Sequence, residues 1–212
     1  KDKICGLTGD LMNMETLYIF KEFFNKVLNS KNIEFRKNHS YINTDKRENY
    51  LFNSKIYGIE ESDFIFLVGT NPRYEATILN ARIRKAKLQN KTKIISLNEI
   101  GDITYDYEFL DGKTNTIKDI VEDNHYVSDL IKKSKKPMIV LGQSIFTLKS
   151  GKYIFESIKS FLIKNKKITS DWNSLNVISE DASSIGSLDL GIYYTEDGSN
   201  KILSNLENHY YD

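Results

Sequence analysis

Three short apolar runs bounded by turn residues are the clearest pattern in the chain. They are Phe64–Val68, Lys93–Leu97 and Lys136–Gly142. A continuous apolar run of this length is typical of a strand that is buried on both faces, as in a parallel sheet. Ile33–Arg36 predicts a further short strand.

Apolar residues at helical spacing separate these runs. One such face extends from Met14 to Asn29, and Arg73 to Asn90 predicts an amphipathic helix that begins directly after the first of the three strands. Further helical patterns lie near Ile117–Val121, Tyr126–Lys133 and about Gly151–Lys164, while Trp172 to Leu190 predicts a strand or turn followed by a short helix, and Ile202, Leu203 and Leu206 a last amphipathic turn. Short strands that alternate with helices predict an α/β fold with a mostly parallel sheet flanked by helices.

No linker rich in Pro, Gly or Ser divides the chain, and no internal repeat is visible. The polar segment that leads to Asn53 predicts an irregular loop. We therefore assign residues 1–191 to one α/β domain and residues 192–212 to a C-terminal tail whose structure the pattern does not define.

Composition narrows the class of protein. The 212 residues include 30 Lys+Arg and 29 Asp+Glu, for a formal net charge of +1, so we expect no nucleic-acid partner. The single cysteine, Cys5, excludes an internal disulfide and a cluster site built from several thiolates of this chain. No apolar run approaches the ~20 residues of a membrane span, so we expect a soluble or peripheral chain. Because the chain begins with Lys1, we also expect a processed product or a fragment.

Gly69-Thr70-Asn71-Pro72 follows a predicted buried strand and leads into a predicted helix. Ligands bind at this edge of open parallel sheets, where free backbone N–H groups can face an anion. The alternative is local: Gly69 allows a tight turn, Thr70 or Asn71 caps the helix, and Pro72 suits its first position. Gly142 ends another predicted strand, with the same geometry and the same two interpretations. Neither turn matches a dinucleotide or P-loop motif.

Charged clusters offer two further candidate surfaces. Several cations share the helix after Gly69, and they could contact phosphates or an acidic partner or simply form a solvated face. They are Arg73, Arg82, Arg84, Lys85 and Lys87. An acidic cluster, Asp102, Asp106, Glu108 and Asp111, lies among Tyr105, Tyr107 and Phe109, and it is typical of an interface or a loop. The three histidines are too dispersed in sequence to predict a metal site.

One long block of the chain resembles a known family. Gly58–Ala76, continuing through Asn80–Lys85, closely resembles the large iron–sulfur subunit of respiratory complex I, the proton-pumping NADH:ubiquinone oxidoreductase. Arg47–Asn53, Lys135–Gly142 and Leu188–Gly191 are similar to further blocks in the same order. The resemblance is to the C-terminal portion of that subunit, and it implies a molybdopterin-oxidoreductase-like (formate dehydrogenase-like) domain, incomplete in this chain.

The resemblance also implies where the cofactors lie. The family's cluster ligands are Cys and His residues of N-terminal modules, so we expect no cofactor, no metal and no catalytic residue in this chain, and iron–sulfur clusters in a partner segment or chain. The turn at Gly69 is similar to one that contacts the pterin-guanine cofactor in molybdenum relatives. Gly69, Thr70, Asn71 and Gly142 are then vestigial candidates, and a molybdenum ligand would have to be Cys5 or a non-cysteine substitute.

We therefore predict a structural, non-catalytic portion of the large subunit in the peripheral arm, whose partners are other complex I subunits. The resemblance implies membrane association only through the complex, at the matrix side of the mitochondrial inner membrane or the cytoplasmic side of a bacterial one. Candidate contact residues are Arg73, Arg82, Arg84, Lys85, Tyr105 and Tyr107. The alternatives are the cofactor-binding part of an active molybdopterin-dependent oxidoreductase and a free-standing nucleotide-binding module. The stretch Lys37–Lys46 and the tail after Tyr193 depart from the family.

Overall fold

The computed structural model describes residues 3–9, 11–36, 41–179, 181–192 and 200–211. Within these ranges the chain forms two compact units, one from residues 1–44 and 179–212 and the other from residues 45–178. The predicted division at residue 191 concerns the family domain and stays a prediction. Residues 37–40 of the polar stretch and residues 193–199 of the tail lie outside the described residues.

In chain order, the helices and strands of the described residues are β1 (Gly6–Gly9), α1 (Met14–Glu22), β2 (Ile33–Arg36), β3 (Phe64–Val68), α2 (Pro72–Glu75), α3 (Thr77–Asn90), β4 (Lys93–Ser96), β5 (Glu108–Phe109), α4 (Thr114–Val121), α5 (Tyr126–Lys133), β6 (Pro137–Leu141), α6 (Gln143–Phe146), α7 (Gly151–Lys164), β7 (Leu175–Val177), α8 (Ala182–Asp189) and α9 (Asn200–Glu207). A π-helical segment covers Phe23–Leu28, and 3₁₀ helices cover Arg47–Tyr50 and Tyr57–Glu61.

The predicted α/β class, with parallel sheets flanked by helices, is confirmed. Two predictions differ in detail. The helix expected from Arg73 to Asn90 is two helices, since Ala76 leaves the helical region between α2 and α3. The loop expected to lead to Asn53 contains a 3₁₀ turn, in which Tyr50 is buried.

The first unit contains the parallel pair β1 and β2, in which Gly6 lies opposite Ile33. Helix α1 begins at Asn13, whose side chain accepts a hydrogen bond of 2.8 Å from the Thr16 N–H. The chain then continues as the π-helical segment. This segment is followed by its C-cap residue, Asn29, which is in the left-handed region. The apolar face predicted from Met14 to Asn29 is buried only in part: Leu17 and Phe24 are buried, whereas Ile19, Phe23 and Val27 are exposed.

The second unit is built on five parallel strands in the order β5-β4-β3-β6-β7. From β3 the chain adds β4 and β5 on one side of the sheet. It then returns to the other side of β3 with β6, and β7 is the outer strand on that side. The direction of progress thus reverses between β3 and β6. In open parallel sheets the crevice outside the carboxyl ends of two such strands is where ligands bind.

Strand β3 is buried along its whole length, as its unbroken apolar sequence predicts. On one face Ile65 and Leu67 join a core cluster with Ile83 of α3 and Val140 of β6. Alternation along the strand directs Phe66 to the opposite face, where it is also buried. Both faces of the sheet are therefore covered, which fixes the strand ends in place.

Two polar contacts attach the β7 edge to the rest of this unit. Asn176 is fully buried; its side-chain oxygen accepts from the Ser54 N–H at 2.8 Å and its amide nitrogen donates to the Ser54 hydroxyl at 2.9 Å. The indole N–H of Trp172 donates to the Pro137 carbonyl at 2.8 Å, at the start of β6. Buried polar groups are stabilising only when paired in this way.

Candidate functional site

The turns after β3 and β6 touch each other. Val68 and Leu141 are partners in register, so Gly69 and Gly142 leave the sheet side by side. A Cβ atom on Gly142 would lie 2.1 Å from the Gly69 carbonyl oxygen, and Gly69 itself has φ +62. The Ser144 hydroxyl also donates to that carbonyl at 2.6 Å. Both glycines therefore allow the two backbones to approach each other.

Glu75 occupies the donors of the first turn. The Thr70 hydroxyl donates to one carboxylate oxygen of Glu75 at 2.7 Å, and the Asn71 N–H donates to the other at 2.7 Å. Thr70 is buried. A hydroxyl and a backbone N–H at this position are the groups that would bind an oxygen of an anionic ligand. Here the chain's own carboxylate lies in that position.

The capping interpretation of this turn is confirmed. Asn71 is the N-cap of α2, with its side-chain oxygen accepting from the Arg73 N–H at 3.1 Å, and Pro72 occupies the first helical position. The other half of the Asn71 amide donates to the Ile100 carbonyl at 2.9 Å. The Asn71 side chain is therefore used on both sides by contacts within the chain.

Unlike Thr70 and Asn71, Gln143 beside these two turns has a side-chain donor with no described partner. Gln143, the residue after Gly142, is 8% exposed, and its amide nitrogen has no hydrogen-bond partner among the described residues. A buried unpaired donor is unfavourable and calls for an explanation. It is a single neutral donor next to a turn whose Thr70 hydroxyl and Asn71 N–H donate to Glu75.

Three of the four cations predicted to form a contact surface are paired within the chain. Arg73 donates to the Asp102 carbonyl at 2.6 Å and to its carboxylate at 2.7 Å. Arg82 and Lys85 both bind the Glu60 carboxylate, and hydrogen bonds from Lys85 and Arg82 lower the pKa of Glu60.

Arg84 stands apart from these cations. It is exposed and has no hydrogen-bond or ion-pair partner among the described residues. The contact role of all four cations stays a prediction.

The two tyrosines predicted as contact residues also make contacts within the second unit. The Tyr105 hydroxyl donates to the Asn80 side-chain oxygen at 2.8 Å, and burial raises the pKa of Tyr105. The Tyr107 hydroxyl oxygen accepts from the Ile100 N–H at 2.9 Å. Both rings pack against the core that includes α3. These contacts fix the loop after β4, whose Ile100 carbonyl accepts from Asn71. The role of both tyrosines at an interface stays a prediction.

The acidic cluster is a set of separate local contacts. Asp111 accepts from the Thr116 hydroxyl at 2.6 Å and from the Lys113 N–H at 3.1 Å, and these bonds lower its pKa. Glu108 binds the Tyr126 hydroxyl and lies 3.3 Å from the Lys93 ammonium. These carboxylates therefore fix loops and a helix start.

The described ranges contain neither a cluster of metal ligands nor a helix suited to a membrane. No three His, Cys, Asp or Glu side chains in those ranges come together as metal ligands. Cys5 lies in the first unit as a half-buried free thiol, and burial raises its pKa. Among the helices that the structure describes, none has the length and apolar character needed to cross a membrane.

Comparison with known proteins decides the family. Residues 1–211 match the sequence model of a family described as molybdopterin oxidoreductase. The chain belongs to this family. The match covers both compact units, so each is molybdopterin oxidoreductase sequence.

The relatives with similar sequences carry complex I names. The chain is 36% identical over 222 residues to the NADH-ubiquinone oxidoreductase 75 kDa subunit of Reclinomonas americana, covering 99% of this chain and 32% of the relative. It is 34% identical over 191 residues to the mitochondrial NADH dehydrogenase [ubiquinone] iron-sulfur protein 1 of Solanum tuberosum, covering 90% and 26%. It is also 34% identical over 189 residues to the mitochondrial NADH-ubiquinone oxidoreductase 78 kDa subunit of Candida albicans, covering 88% and 26%.

The resemblance predicted from Gly58–Ala76 is thus confirmed, and the chain spans only 26 to 32% of the length of these relatives. A pterin-guanine cofactor does not fit the turns as this chain folds them. Thr70 and Asn71 donate to Glu75, Gly69 and Gly142 are in contact, and among the buried side-chain atoms of the two turns the Gln143 amide nitrogen has no described partner.

Sequence reasoning found the four turn residues but missed Glu75 and Ser144. The capping-box pattern gave no signal for Glu75, because it places the acidic residue three positions after the N-cap, where Tyr74 lies, and Glu75 is four positions after Asn71. Ser144 gave no signal either, since its bond to Gly69 depends on β3 and β6 being neighbours in the sheet.

Proposed function

We propose that this chain is a structural, non-catalytic portion of the large iron–sulfur subunit of NADH:ubiquinone oxidoreductase, respiratory complex I. The observation that carries the proposal is the Glu75 carboxylate, which accepts the hydrogen bonds of Thr70 and Asn71 at the end of β3. The names of the relatives supply the assembly, and the turn supplies the argument against a bound cofactor.

The argument is electrostatic as well as steric. A pterin-guanine cofactor carries a pyrophosphate, and strand-end sites bind such anions with free N–H groups. A carboxylate in that place uses the donors and adds like-charge repulsion. Any phosphate that entered would have to displace Glu75 and separate Gly69 from Gly142.

A supporting domain needs no reactive group of its own. Electron transfer between clusters requires fixed positions, which a rigid α/β body can provide to its neighbours. We therefore assign no cofactor to this chain and place the iron–sulfur clusters in a partner segment or chain. Its partners are other complex I subunits, and its location is the matrix side of the mitochondrial inner membrane, in agreement with the mitochondrial names of the relatives.

The test is gentle solubilisation of the source membranes, native separation, and identification of the band that contains this chain. Iron, molybdenum and NADH oxidation are measured in the same band. We expect migration with iron-rich, NADH-oxidising material whose molybdenum does not exceed that of an empty gel slice. Migration as a smaller species that contains molybdenum would overturn the proposal.

The second candidate, an active molybdopterin-dependent oxidoreductase, is favoured by one observation, the unpaired Gln143 amide. Acid extraction of the same band with detection of pterin fluorescence distinguishes the two candidates. A pterin signal that disappears in Gln143→Leu, while the chain still migrates normally, would support the enzyme.

A further inference from the structure

Helix α3 carries apolar residues on two opposite faces. Leu79, Ile83 and Ala86 are buried against the sheet. On the other side Ile78 is 71% exposed and Leu88 is 67% exposed. A helix that only covers a sheet has a polar outer face, so the exposed apolar residues are not explained by the fold of the second unit.

The exposed residues form a regular stripe. Ile78, Ala81, Lys85 and Leu88 are all exposed and are separated by three, four and three positions. This spacing is that of the a and d positions of a heptad, and Ile83 falls opposite, in the core. We call these four residues the outer seam. From Ile78 to Leu88 the seam extends about 15 Å along α3, at 1.5 Å per residue.

The side chains of the outer seam suit contact with another helix. Ala81 lies between the two large apolar residues and lets a neighbouring backbone approach closely, while Ile78 and Leu88 provide side chains that can insert between those of a partner. Two exposed aliphatic side chains give little area for insertion into lipid, for which a broad apolar face is needed. The seam therefore favours a protein helix over a membrane surface.

The charges identify the chemistry of the partner. Residues 77–91 contain five cations, Arg82, Arg84, Lys85, Lys87 and Lys91, and no Asp or Glu. Lys85 lies in the seam but is bound to Glu60, so Arg84, at the flank of the seam and without a partner among the described residues, is the cation left for an acidic partner. A second copy of this face would bring cations against cations. An opposing helix with Asp or Glu beside its apolar stripe would pair with them.

We propose that the outer seam of α3 is the docking site of an amphipathic, acid-flanked helix from another polypeptide of the assembly. This inference rests on the proposed function, which supplies the assembly. The proposed contact surface is narrower than the basic helix as a whole, because Arg73 is bound to Asp102, and Arg82 and Lys85 are bound to Glu60.

The test places a photo-crosslinking amino acid at Ala81 in the full chain, assembled in its native complex. The matched control carries the same amino acid at Ile163 of α7, which is 54% exposed. After irradiation the attached peptide is identified by mass spectrometry. We expect a peptide of a different polypeptide with apolar residues at helical spacing and flanking Asp or Glu, and a yield several-fold above that of the Ile163 control.

Charge reversal gives a second readout. Arg84→Glu should lower the Ala81 crosslink by about two- to fivefold, since one flanking pair contributes about 0.5 kcal/mol and a like-charge pair costs a similar amount. Reversing the opposing acid to Lys should restore the yield. Lys118→Glu on α4 should leave it unchanged.

Several outcomes would overturn the docking site: attachment to a second copy of this chain, attachment to lipid only, a yield no higher than the Ile163 control, or a peptide without acidic residues. These outcomes are distinct from failure of the proposed function. If the chain did not migrate with complex I but Ala81 still captured an acidic helix, the assembly would be wrong and the docking site would stand.

Discussion

Gly142→Ala tests the contact between the two strand-end turns, on which the argument against a cofactor depends. Gly142 has φ −89 and ψ 167, values that alanine adopts freely. The substitution therefore adds no backbone strain, and at an open site it would stabilise the chain by about 0.4–1 kcal/mol through the unfolded state. Any loss of stability must come from what the new methyl group meets.

The methyl carbon would lie 2.1 Å from the Gly69 carbonyl oxygen and 2.5 Å from the Thr70 Cβ. Inserting a methyl group into a well-packed site costs about 1–3 kcal/mol, and more where the neighbour cannot move. Here one neighbour is backbone held by the β3–β6 ladder. We expect a loss of about 3 kcal/mol in the free energy of unfolding.

The assay is urea unfolding followed by fluorescence of Trp172, the only tryptophan, which lies in the same compact unit. Gly101→Ala is the matched control: Gly101 has φ +70 and no atom within 4 Å of the added carbon. It measures backbone strain without a steric contact, about 1 kcal/mol. If Gly142→Ala cost no more than Gly101→Ala, the turns would be apart in solution, and room for a ligand between them would have to be accepted.

Three further changes test other parts of the second unit. Asn176→Ala leaves the Ser54 N–H and hydroxyl without their buried partner and should cost about 2–3 kcal/mol in urea unfolding, whereas a loss below about 1 kcal/mol would contradict the buried network. Tyr105→Phe removes the donor to Asn80 and should cost about 1–2 kcal/mol, and an unchanged midpoint would mean that the hydrogen bond is absent in solution. Burial alone would raise the pKa of Asp63, but hydrogen bonds from Ser134 and two backbone N–H groups lower it, so its contribution is present above the ordinary aspartate pKa of about 3.9 and is lost as the pH falls through the folded value. Asp63→Asn should therefore flatten the fall in stability below about pH 4, and an unchanged acid profile would refute this role.

The buried strands β3, β4 and β6 were predictable because local composition determines their burial. Phe64–Val68 is apolar at every position, and the observed strand has those bounds. The break at Ala76 was not predictable, because it depends on Glu75 turning back to Thr70 and Asn71. Strand β5, only two residues long and both exposed, carries no hydrophobic signal and exists through its pairing with β4.

The position of the candidate site was predictable only in part. Each glycine turn could be recognised as a strand end, yet their contact follows from the neighbouring positions of β3 and β6, which no local pattern contains. On the basic helix, the sequence drew attention to charged residues that are paired within the chain and not to the exposed apolar residues. Charge counts draw attention to Arg82 and Lys85, but both are occupied by Glu60, while Ile78 and Leu88, on either side of them along the helix, carry the exposed apolar surface.

The same contacts that close the Gly69 turn also fix α3, and this connects the occupied turn with a role in assembly. Glu75, one residue before the N-cap of α3, is bonded to the turn; Arg82 is bonded to Glu60; and Asn80 is bonded to Tyr105. Together with the buried Ile83 face, these ties reach α3 from its start to its middle and leave the outer seam on a helix that cannot easily rotate. A partner helix docked there would be held in a fixed position relative to the sheet. If the turn had to open for a ligand, the hydrogen bonds from Thr70 and Asn71 to Glu75 would break and the start of α3 would be less fixed. Because the chain's own carboxylate occupies the turn instead, α3 is held more firmly for a docked partner.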